Sequence, residues 1–387
     1  MQCTEAMASV HVVAEPVTLP LRSTSNAKSY SRTKLALRLL SSGISFVFLI
    51  VLVATGVSKT LADAVFSAAG NPYTAVLIYG GVLGIMHACL VTPLGFASSF
   101  LLEHRYGLST QTLARWVWER VKGMAVGLPL AAGLLVILFY CLRAYDVHWW
   151  LPVALVVTIL SVVLARIAPV LIMPLFYTFT PLAQESLRVR LERLCASAGV
   201  RVEGVYAFNM SKQTRKANAG FTGIGKGKRI IIGDTLVREF TEEEIETVFA
   251  HELGHYYHHH ILIGLATGIL STFAGLWCAS VLLAWSAHFL GLTSVADPAV
   301  LPLLAVWLAL FGMVTGPIGN IISRRHERQA DAFAVERTGN APAFIAALRK
   351  LARQNLADEE PHPLVEFLFF SHPSIASRIR AAEAMRR

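Results

Sequence analysis

The chain has 387 residues and a formal net charge of +9, with 55% hydrophobic and only 15% charged residues. Soluble domains usually carry about 25% charged residues, so this composition excludes a disordered chain, a coiled coil and an ordinary cytosolic enzyme. It favours several membrane spans combined with some soluble structure. The positive residues are spread over loops between apolar segments, which indicates membrane topology and not nucleic-acid binding.

Stretches without Asp, Glu, Lys or Arg mark the predicted membrane spans, because a helix needs about 20 apolar residues to cross the hydrocarbon core. We predict a flexible cytoplasmic tail over residues 1–34, four transmembrane helices within 35–178 and two more within 261–323. The predicted spans lie at residues 39–58, near 74–96, and at 123–142, 147–165, 261–284 and 298–323.

The loops between these spans predict the orientation. Lys and Arg are concentrated before the first span, in a loop at 103–122, in the long segment 166–250 and in the tail from Arg324. The other loops carry Lys59, Arg143, or no Lys or Arg at all. Positive residues favour the cytoplasmic side. We therefore predict an integral protein of the lipid bilayer with six spans and with both termini and its active site on the cytoplasmic side.

A soluble segment is predicted at residues 179–260, between the fourth and fifth spans. Leucines at helical spacing within 181–200 predict an amphipathic helix that Gly199 ends. Residues 205–209 and 229–233 are typical of short strands. A capping box of Thr241 and Glu244 then predicts the start of another helix.

The same segment matches part of the sequence motif of a phosphate-binding loop. Gly220, Gly225 and Lys226 match its spacing, but Gly227 stands where Ser or Thr would bind magnesium. The segment also leads into a strand, whereas a phosphate loop leads into a helix. We therefore predict no nucleotide binding.

Residues 251–255 read HELGH, an HExxH motif. On a helix, His251 and His255 share one face and can bind one zinc ion, while Glu252 can reach a metal-bound water. This arrangement predicts a metallopeptidase in which Glu252 is the general base. The alternatives are a membrane scaffold with a structural zinc, which does not need Glu252, and a transporter, which needs charged residues near mid-span.

A catalytic zinc needs a third protein ligand and one open position. Glu327, in the segment 324–387 after the sixth span, is the favoured candidate, because Asp331 shares its helical face and can orient a zinc-bound histidine. A solvated, charged helix start is the alternative interpretation. His326 could be the ligand instead, but it does not share the face of Glu327 and Asp331.

Three more histidines, His258, His259 and His260, follow the motif. They could form a second metal site, but they lie where the helix enters the membrane interface, with no acidic partner close in sequence. We therefore predict a single zinc ion.

Several motifs in order from about residue 75 to the C-terminus resemble a known family. They are Glu103–Ser109 with Gln111 and Thr112, Pro174–Phe176, Thr180–Leu182, Asn218–Phe221, Lys228–Ile232 with Asp234–Leu236, HELGH, SRRHERQAD, and Ser371–Ser374 with Arg378. Together they resemble the integral-membrane zinc peptidases that include the type I CaaX prenyl endopeptidases, with HtpX-type proteases as more distant relatives. The early-loop and Thr-Pro-Leu motifs favour the CaaX branch.

The resemblance implies site residues and a fold. It implies a mainly α fold, with a bundle of membrane helices around a chamber and a zincin-like peptidase domain with a small β-sheet or hairpin on the cytoplasmic side. CaaX-type members usually have seven spans, and residues 1–34 cannot supply the extra one. The implied site has zinc on His251, His255 and Glu327, Glu252 as catalytic acid/base, Asp331 in the catalytic site, Asn218 and Ala219 on the substrate backbone, His372 on the oxyanion, and Arg378 supporting the site.

The resemblance also implies a peptide or protein substrate, but it leaves the substrate class open. One option is a prenylated C-terminus ending in CaaX, from which the last three residues are removed. The other is the broader cleavage of membrane or misfolded proteins by an HtpX-type quality-control protease.

Overall fold

A computed structural model describes residues 24–222, 229–289 and 294–385. Most of these residues are helical. The helices are α1 (Thr24–Ala54), α2 (Val57–Ala68), α3 (Pro72–Phe96), α4 (Leu102–Arg105), α5 (Leu113–Ala144), α6 (Trp150–Ile167), α7 (Met173–Phe176), α8 (Glu185–Ser197), α9 (Asp234–Glu239), α10 (Glu242–Tyr257), α11 (His260–Phe289), α12 (Leu301–Thr338), α13 (Ala341–Asn355), α14 (Pro363–Phe369) and α15 (Ile375–Ala384).

Six helical stretches among the described residues are long and apolar enough to cross a membrane, as the sequence predicts. Many of their large apolar side chains are exposed in the isolated chain, for example Ile85 at 67% and Val314 at 70%. This exposure is what a lipid environment permits, because lipid tails are as apolar as leucine. The six stretches are Ser25–Ala54, Pro72–Arg105, Leu113–Ala144, Asp146–Phe176, His260–Ser286 and Pro298–Thr338.

The predicted flexible tail is wrong for residues 24–34, which form the first turns of α1. Tyr30 is buried and donates a hydrogen bond of 2.6 Å to Glu103, at the end of the second span. Lys34 forms an ion pair with the same carboxylate. These long-range contacts extend the helix beyond its apolar stretch, and residues 1–23 lie outside the described part.

The predicted cytoplasmic loop at 103–122 is also wrong in its extent. The helix α4 includes Glu103, and α5 begins at Leu113, with the side chain of Thr112 accepting a hydrogen bond from the backbone of Arg115. The connection between these two helices is therefore short and covers residues 106–112. Polar residues at a membrane surface can continue a helix, so the limits of apolar stretches do not coincide with helix ends.

A four-stranded sheet forms the β part of the soluble segment. Its strands are β1 (Phe179–Pro181), β2 (Gly204–Phe208), β3 (Ala219–Thr222) and β4 (Arg229–Gly233), in the order β1-β2-β4-β3. The pair β2/β4 is parallel, and the other two pairs are antiparallel. The two predicted strands correspond to β2 and β4, and β3 lies at one edge of the sheet.

The predicted helix 181–200 is shorter in the structure, where α8 covers Glu185–Ser197. Gly199 has a φ of +69°, a left-handed conformation that glycine adopts without steric strain, and it ends the helix as predicted. Residues Gly225, Lys226 and Gly227 of the phosphate-loop match lie outside the described residues.

Two hydrophobic cores are joined by the helix α12. One core lies against the membrane helices α5, α6 and α11 and includes Leu303 and Leu304, near the start of α12. The other packs the sheet against α8, α10, α13 and α15 and includes Phe333 and Ala334 of α12. A 38-residue helix is about 57 Å long at 1.5 Å per residue, so a single element connects the membrane region with the region of the HELGH helix.

Candidate metal centre

The HELGH helix and the end of the last membrane helix pack directly on each other. The capping box of Thr241 and Glu244 is present at the start of α10, which sets the register of the motif. A Cβ atom built on Gly254 would lie 3.0 Å from Cα of Ala330 in α12. Glycine at this position therefore allows the close approach that places His251 and His255 opposite Glu327.

Three side chains converge at this crossing. The Nε2 atoms of His251 and His255 are 3.2 Å apart. Carboxylate oxygens of Glu327 lie 3.4 Å from Nε2 of His251 and 3.3 Å from Nε2 of His255. These three residues form a group that could hold a metal ion. His326, the alternative ligand, does not belong to that group.

The geometry fits a zinc ion. Tetrahedral zinc with ligands at about 2.0–2.1 Å requires ligand atoms roughly 3.3 Å apart, which matches the three separations. Glu327 is buried, and its Oε2 atom has no hydrogen-bond partner among the described residues. A buried carboxylate oxygen without a donor is destabilising, so a bound cation would satisfy it. Two histidines and one glutamate are also a known donor set for catalytic zinc.

Asp331 and Arg378 lie behind the first of these histidines. Nδ1 of His251 is 2.8 Å from Asp331, and the Arg378 guanidinium contacts both oxygens of Asp331 at 2.9 and 2.6 Å. Burial by itself lowers the pKa of His251, but the neighbouring carboxylates of Asp331 and Glu327 outweigh this effect and raise the pKa to about 9. The carboxylate thus fixes the His251 ring with Nε2 directed at Glu327.

Glu252 follows His251 on α10 and is partly buried. Burial raises the pKa of this carboxyl group above that of an ordinary glutamate, against the attraction of the two neighbouring histidines. A base with a raised pKa accepts a proton more readily near neutral pH.

His372 also reaches the centre, from the connection between α14 and α15. Its Nε2 atom lies 3.3 Å from Glu327, and its Nδ1 atom lies 2.9 Å from the Ser371 hydroxyl. Spacing in the sequence gives no signal for His372 or Arg378, because they are more than 40 residues from Glu327. The resemblance to the peptidase family is what singled them out.

Asn218 directly precedes the edge strand β3, and Ala219 belongs to it. Ala219 is the first residue of β3, and the backbone carbonyl of Asn218 accepts a hydrogen bond of 2.8 Å from the Gly233 backbone. The side chain of Asn218 is exposed. The strand β3 packs against α10, which carries His251 and His255.

The sequence pattern did not predict that His260 contacts the metal centre. His260 is buried, and its Nδ1 atom lies 3.1 Å from Nδ1 of His255. The spacing of five residues gives no helical face in common with His255, so the pattern alone could not place it. The signal that could have pointed to His260 is the presence of a histidine close to an HExxH motif.

Comparison with known proteins covers nearly the whole chain. Residues 181–386 match the model of peptidase family M48, and residues 14–178 match a model described as CAAX prenyl protease N-terminal, five membrane helices. Within residues 24–178, the structure has four helical stretches long enough to span and the twelve-residue helix α2.

Individual relatives agree with the family models. The chain is 30% identical to an uncharacterized metalloprotease, YhfN, of Bacillus subtilis, covering 92% of this chain and 84% of that protein. It is 29% identical to CAAX prenyl protease 1 of Saccharomyces cerevisiae, covering 79% and 72% of the two chains. The crystal structure of S. mikatae Ste24p matches with a TM-score of 0.82 at 24% identity, over 93% of this chain and 89% of that one. This likeness confirms the predicted fold class.

Proposed function

The chain belongs to peptidase family M48, and from that premise we propose that it is a membrane-embedded zinc endopeptidase of the CaaX prenyl protease type. The observation that carries the proposal is the group of His251, His255 and Glu327 at tetrahedral spacing, with Glu252 beside it. We infer zinc as the metal from this donor set and its spacing.

The proposed chemistry divides between the metal and two side chains. A bound zinc ion lowers the pKa of water towards about 7 and polarises a carbonyl group. Glu252 accepts a proton from the attacking water and delivers it to the leaving amine. Nε2 of His372 donates a hydrogen bond to the oxygen of the substrate carbonyl as negative charge develops there. Asp331, paired with Arg378, holds His251 in the binding orientation.

We propose that the substrate binds as an extended strand along β3. An edge strand offers backbone groups that a peptide can pair with, and Asn218 stands exposed beside the start of that edge. The side chain of Asn218 and the backbone of Ala219 would bind the substrate backbone. The edge strand β3 is paired antiparallel with β4, which is itself paired in parallel with β2.

An apolar cavity of about 800 Å³ between α11 and α12 supports a lipid-modified substrate. It lies in the usual size range of ligand sites. His326 lines one end of it, and the ring of His326 stacks on His260, whose Nδ1 atom lies 3.1 Å from Nδ1 of the proposed ligand His255. Its other lining residues are Gly264, Thr267, Gly268, Leu270, Ser271, Ala274, Phe311, Gly312, Thr315, Gly316, Ile318, Gly319, Ile322 and Ser323.

We further propose that the metal centre and both termini face the cytoplasm. The distribution of Lys and Arg over the loops supports this orientation. In this arrangement residues 179–260 and 324–387 together form the peptidase part, and the membrane helices within 35–178 and 261–323 carry it. The shared core of the sheet, α10 and the end of α12 is consistent with that division.

The experiment uses purified protein and two peptides that share one CaaX-ending sequence, of which one is farnesylated. Mass spectrometry locates the cleavage site. We expect release of the last three residues from the farnesylated peptide, with kcat/KM far lower for the unmodified peptide. The variant Glu252→Gln is the control, and we expect it to retain zinc but to lose turnover by several orders of magnitude.

Other outcomes separate the alternatives. Cleavage of both peptides equally and at scattered sites would assign the protein to general membrane quality control and refute the prenyl specificity. Absence of cleavage by the zinc-loaded wild type would contradict the peptidase proposal itself and favour a non-catalytic scaffold.

A further inference from the structure

The three histidines after the HELGH motif have different environments. His259 is exposed and has a φ of +58°, a left-handed conformation in which histidine is enriched among the residues that have a Cβ. Together with His258 it forms the turn between α10 and α11. The change in chain direction brings His260 back towards His255, a contact that a continuous helix would not allow at a spacing of five residues.

A chain of three side chains results. His255 Nδ1 lies 3.1 Å from Nδ1 of His260, and Nε2 of His260 lies 3.0 Å from Oε1 of Gln329 on α12. The ring of His326 stacks on His260, with ring centroids 4.0 Å apart and planes 10° apart. His260 is only 6% exposed, so its ring is held from three sides.

The protons of this chain can be assigned from the metal centre outward. His255 directs Nε2 at His251 and Glu327, so a metal-binding His255 carries its proton on Nδ1. That N–H donates to Nδ1 of His260, which must then be unprotonated. His260 consequently carries its proton on Nε2 and donates it to the carbonyl oxygen of Gln329. In this assignment each ring N–H group donates to one acceptor. The hydrogen bonds from His255 to His260 and from His260 to Gln329 then require a single tautomer of each ring.

The two metal-binding histidines therefore have different supports. Asp331 supports His251 with a charged carboxylate, whereas His255 is supported by a neutral imidazole. Glu252, Glu327 and Asp331 already place three carboxyl groups near the centre. Another carboxylate behind His255 would add negative charge and weaken the electrophilic character of a bound metal. A neutral acceptor fixes the ring of His255 without that effect.

We propose that His260, held by Gln329, is a positioning residue that fixes the tautomer and orientation of His255 for metal binding. This inference rests on the proposed metal site. It gives one of the three histidines that follow the motif a positioning role, and this role does not involve a second metal ion.

The test measures metal affinity in the absence of substrate. Purified wild type, His260→Ala and Gln329→Met are titrated with zinc against a competing chelator, and the visible spectrum of the cobalt(II)-substituted protein reports the ligand geometry. Loss of an outer partner of a metal ligand typically weakens metal binding 10–100-fold. We expect a loss in this range for His260→Ala, a smaller loss for Gln329→Met, and an altered cobalt spectrum in both.

Matched controls come from the adjacent histidines. His258→Phe keeps an aromatic ring stacked on His260 at a position outside the chain of hydrogen bonds, and His259→Gly preserves the left-handed conformation. We expect wild-type zinc affinity for both variants. The variant His260→Gln, whose amide oxygen can accept from His255, should recover part of the affinity lost in His260→Ala.

An unchanged zinc affinity in folded His260→Ala would overturn the inference, as would an equal loss in the two control variants. Folding is checked for each protein by size exclusion and thermal melting at saturating zinc. A wild type that binds no zinc would instead overturn the proposed metal site, and a wild type that binds zinc without cleaving peptide would leave the positioning role intact while refuting the peptidase function.

Discussion

Several buried carboxyl groups lie close together in the candidate metal centre. Glu327 and Asp331 are each 4% exposed, and Glu252 lies close to them. Arg378 neutralises Asp331 through two short contacts, but it lies 4.0 Å from the nearest oxygen of Glu327. Burying carboxylates without partners is strongly unfavourable. The centre therefore balances its charge best with a divalent cation between Glu327 and the two histidines.

The raised pKa of Glu252 leads to a prediction about pH. Glu252 must be ionised to accept a proton, and burial raises the pKa of its carboxyl group above the ordinary value of 4.5. As the pH falls through this raised pKa, the base becomes protonated and kcat/KM declines. We expect the acid limb of the profile of kcat/KM against pH to lie above 4.5. Zinc content, measured at each pH, excludes metal loss as the cause, and a limb at or below 4.5 in fully loaded enzyme would contradict the prediction.

Residues of the centre differ in how far the sequence could predict them. The helical periodicity of α10 predicts that His251 and His255 share a face, and the same argument pairs Glu327 with Asp331. The structure places both pairs together. Helical periodicity could not predict the role of His260, because the contact between His260 and His255 depends on a left-handed residue between two helices. His372 comes from the connection between α14 and α15 and Arg378 from α15 itself, and long-range packing that no local pattern encodes brings them to Glu327.

At the level of elements, apolar stretches located all six membrane helices but not their ends. The helix α12 continues without interruption from the membrane through Glu327 to Thr338, and α1 and α5 begin before their apolar stretches. The short helix α2 was not predicted, since it lies between two spans and contains Lys59 and Asp63. Helix ends depend on caps and on contacts such as that between Tyr30 and Glu103, which hydropathy does not report.

One buried cluster joins three elements and leads to a prediction about stability. Glu103 of α4 contacts Tyr30 and Lys34 of α1, and Lys216, just before β3, lies 2.9 Å from its Oε2 atom. The Glu103 side chain is 10% exposed. Removing one partner of a buried ion pair leaves the other charges uncompensated and typically destabilises a protein by about 3–5 kcal/mol.

We expect Glu103→Gln to destabilise the protein by roughly 2–4 kcal/mol, slightly less than a fully buried pair because Lys34 is partly exposed. Thermal melting in detergent measures the effect as a lower Tm. Glu185→Gln, which removes an exposed partner of Arg188 on α8, is the matched control and should change the Tm little, since exposed pairs contribute little. Equal shifts in the two variants would show that the cluster has no special role in joining α1 to the sheet.

At the scale of the whole molecule, the membrane and peptidase regions are continuous and not merely tethered. The helix α12 contributes to both hydrophobic cores and carries the proposed metal ligand Glu327. The cavity between α11 and α12 extends along this helix from Phe311 to His326. Fifteen residue steps at 1.5 Å each correspond to about 22 Å. The cavity therefore follows the membrane part of the same helix that carries the proposed ligand Glu327.

Glycines give the cavity its width. Cβ atoms built on Gly264, Gly268, Gly312 and Gly316 would meet no atom within 4 Å. Gly275, in contrast, is packed against Phe311, with a distance of 2.9 Å from its built Cβ to the ring. The glycines of the cavity thus provide open space, whereas membrane glycines at helix contacts usually permit close packing. Larger side chains at these positions would fill the cavity without forcing the helices apart.

This difference predicts a selective effect on lipid-modified substrates. We expect Gly268→Leu and Gly316→Leu to raise KM for a farnesylated CaaX peptide about tenfold or more, since losing even part of the apolar contact of such a chain corresponds to more than 1.4 kcal/mol. Turnover of an unmodified peptide, where measurable, should change little, because the metal ligands are untouched. Gly84→Leu, at an exposed α3 glycine whose built Cβ also meets no atom within 4 Å, is the matched control. If all three variants raise KM equally, or if neither cavity variant does, the isoprenoid chain binds elsewhere and the cavity serves the bilayer instead of the substrate.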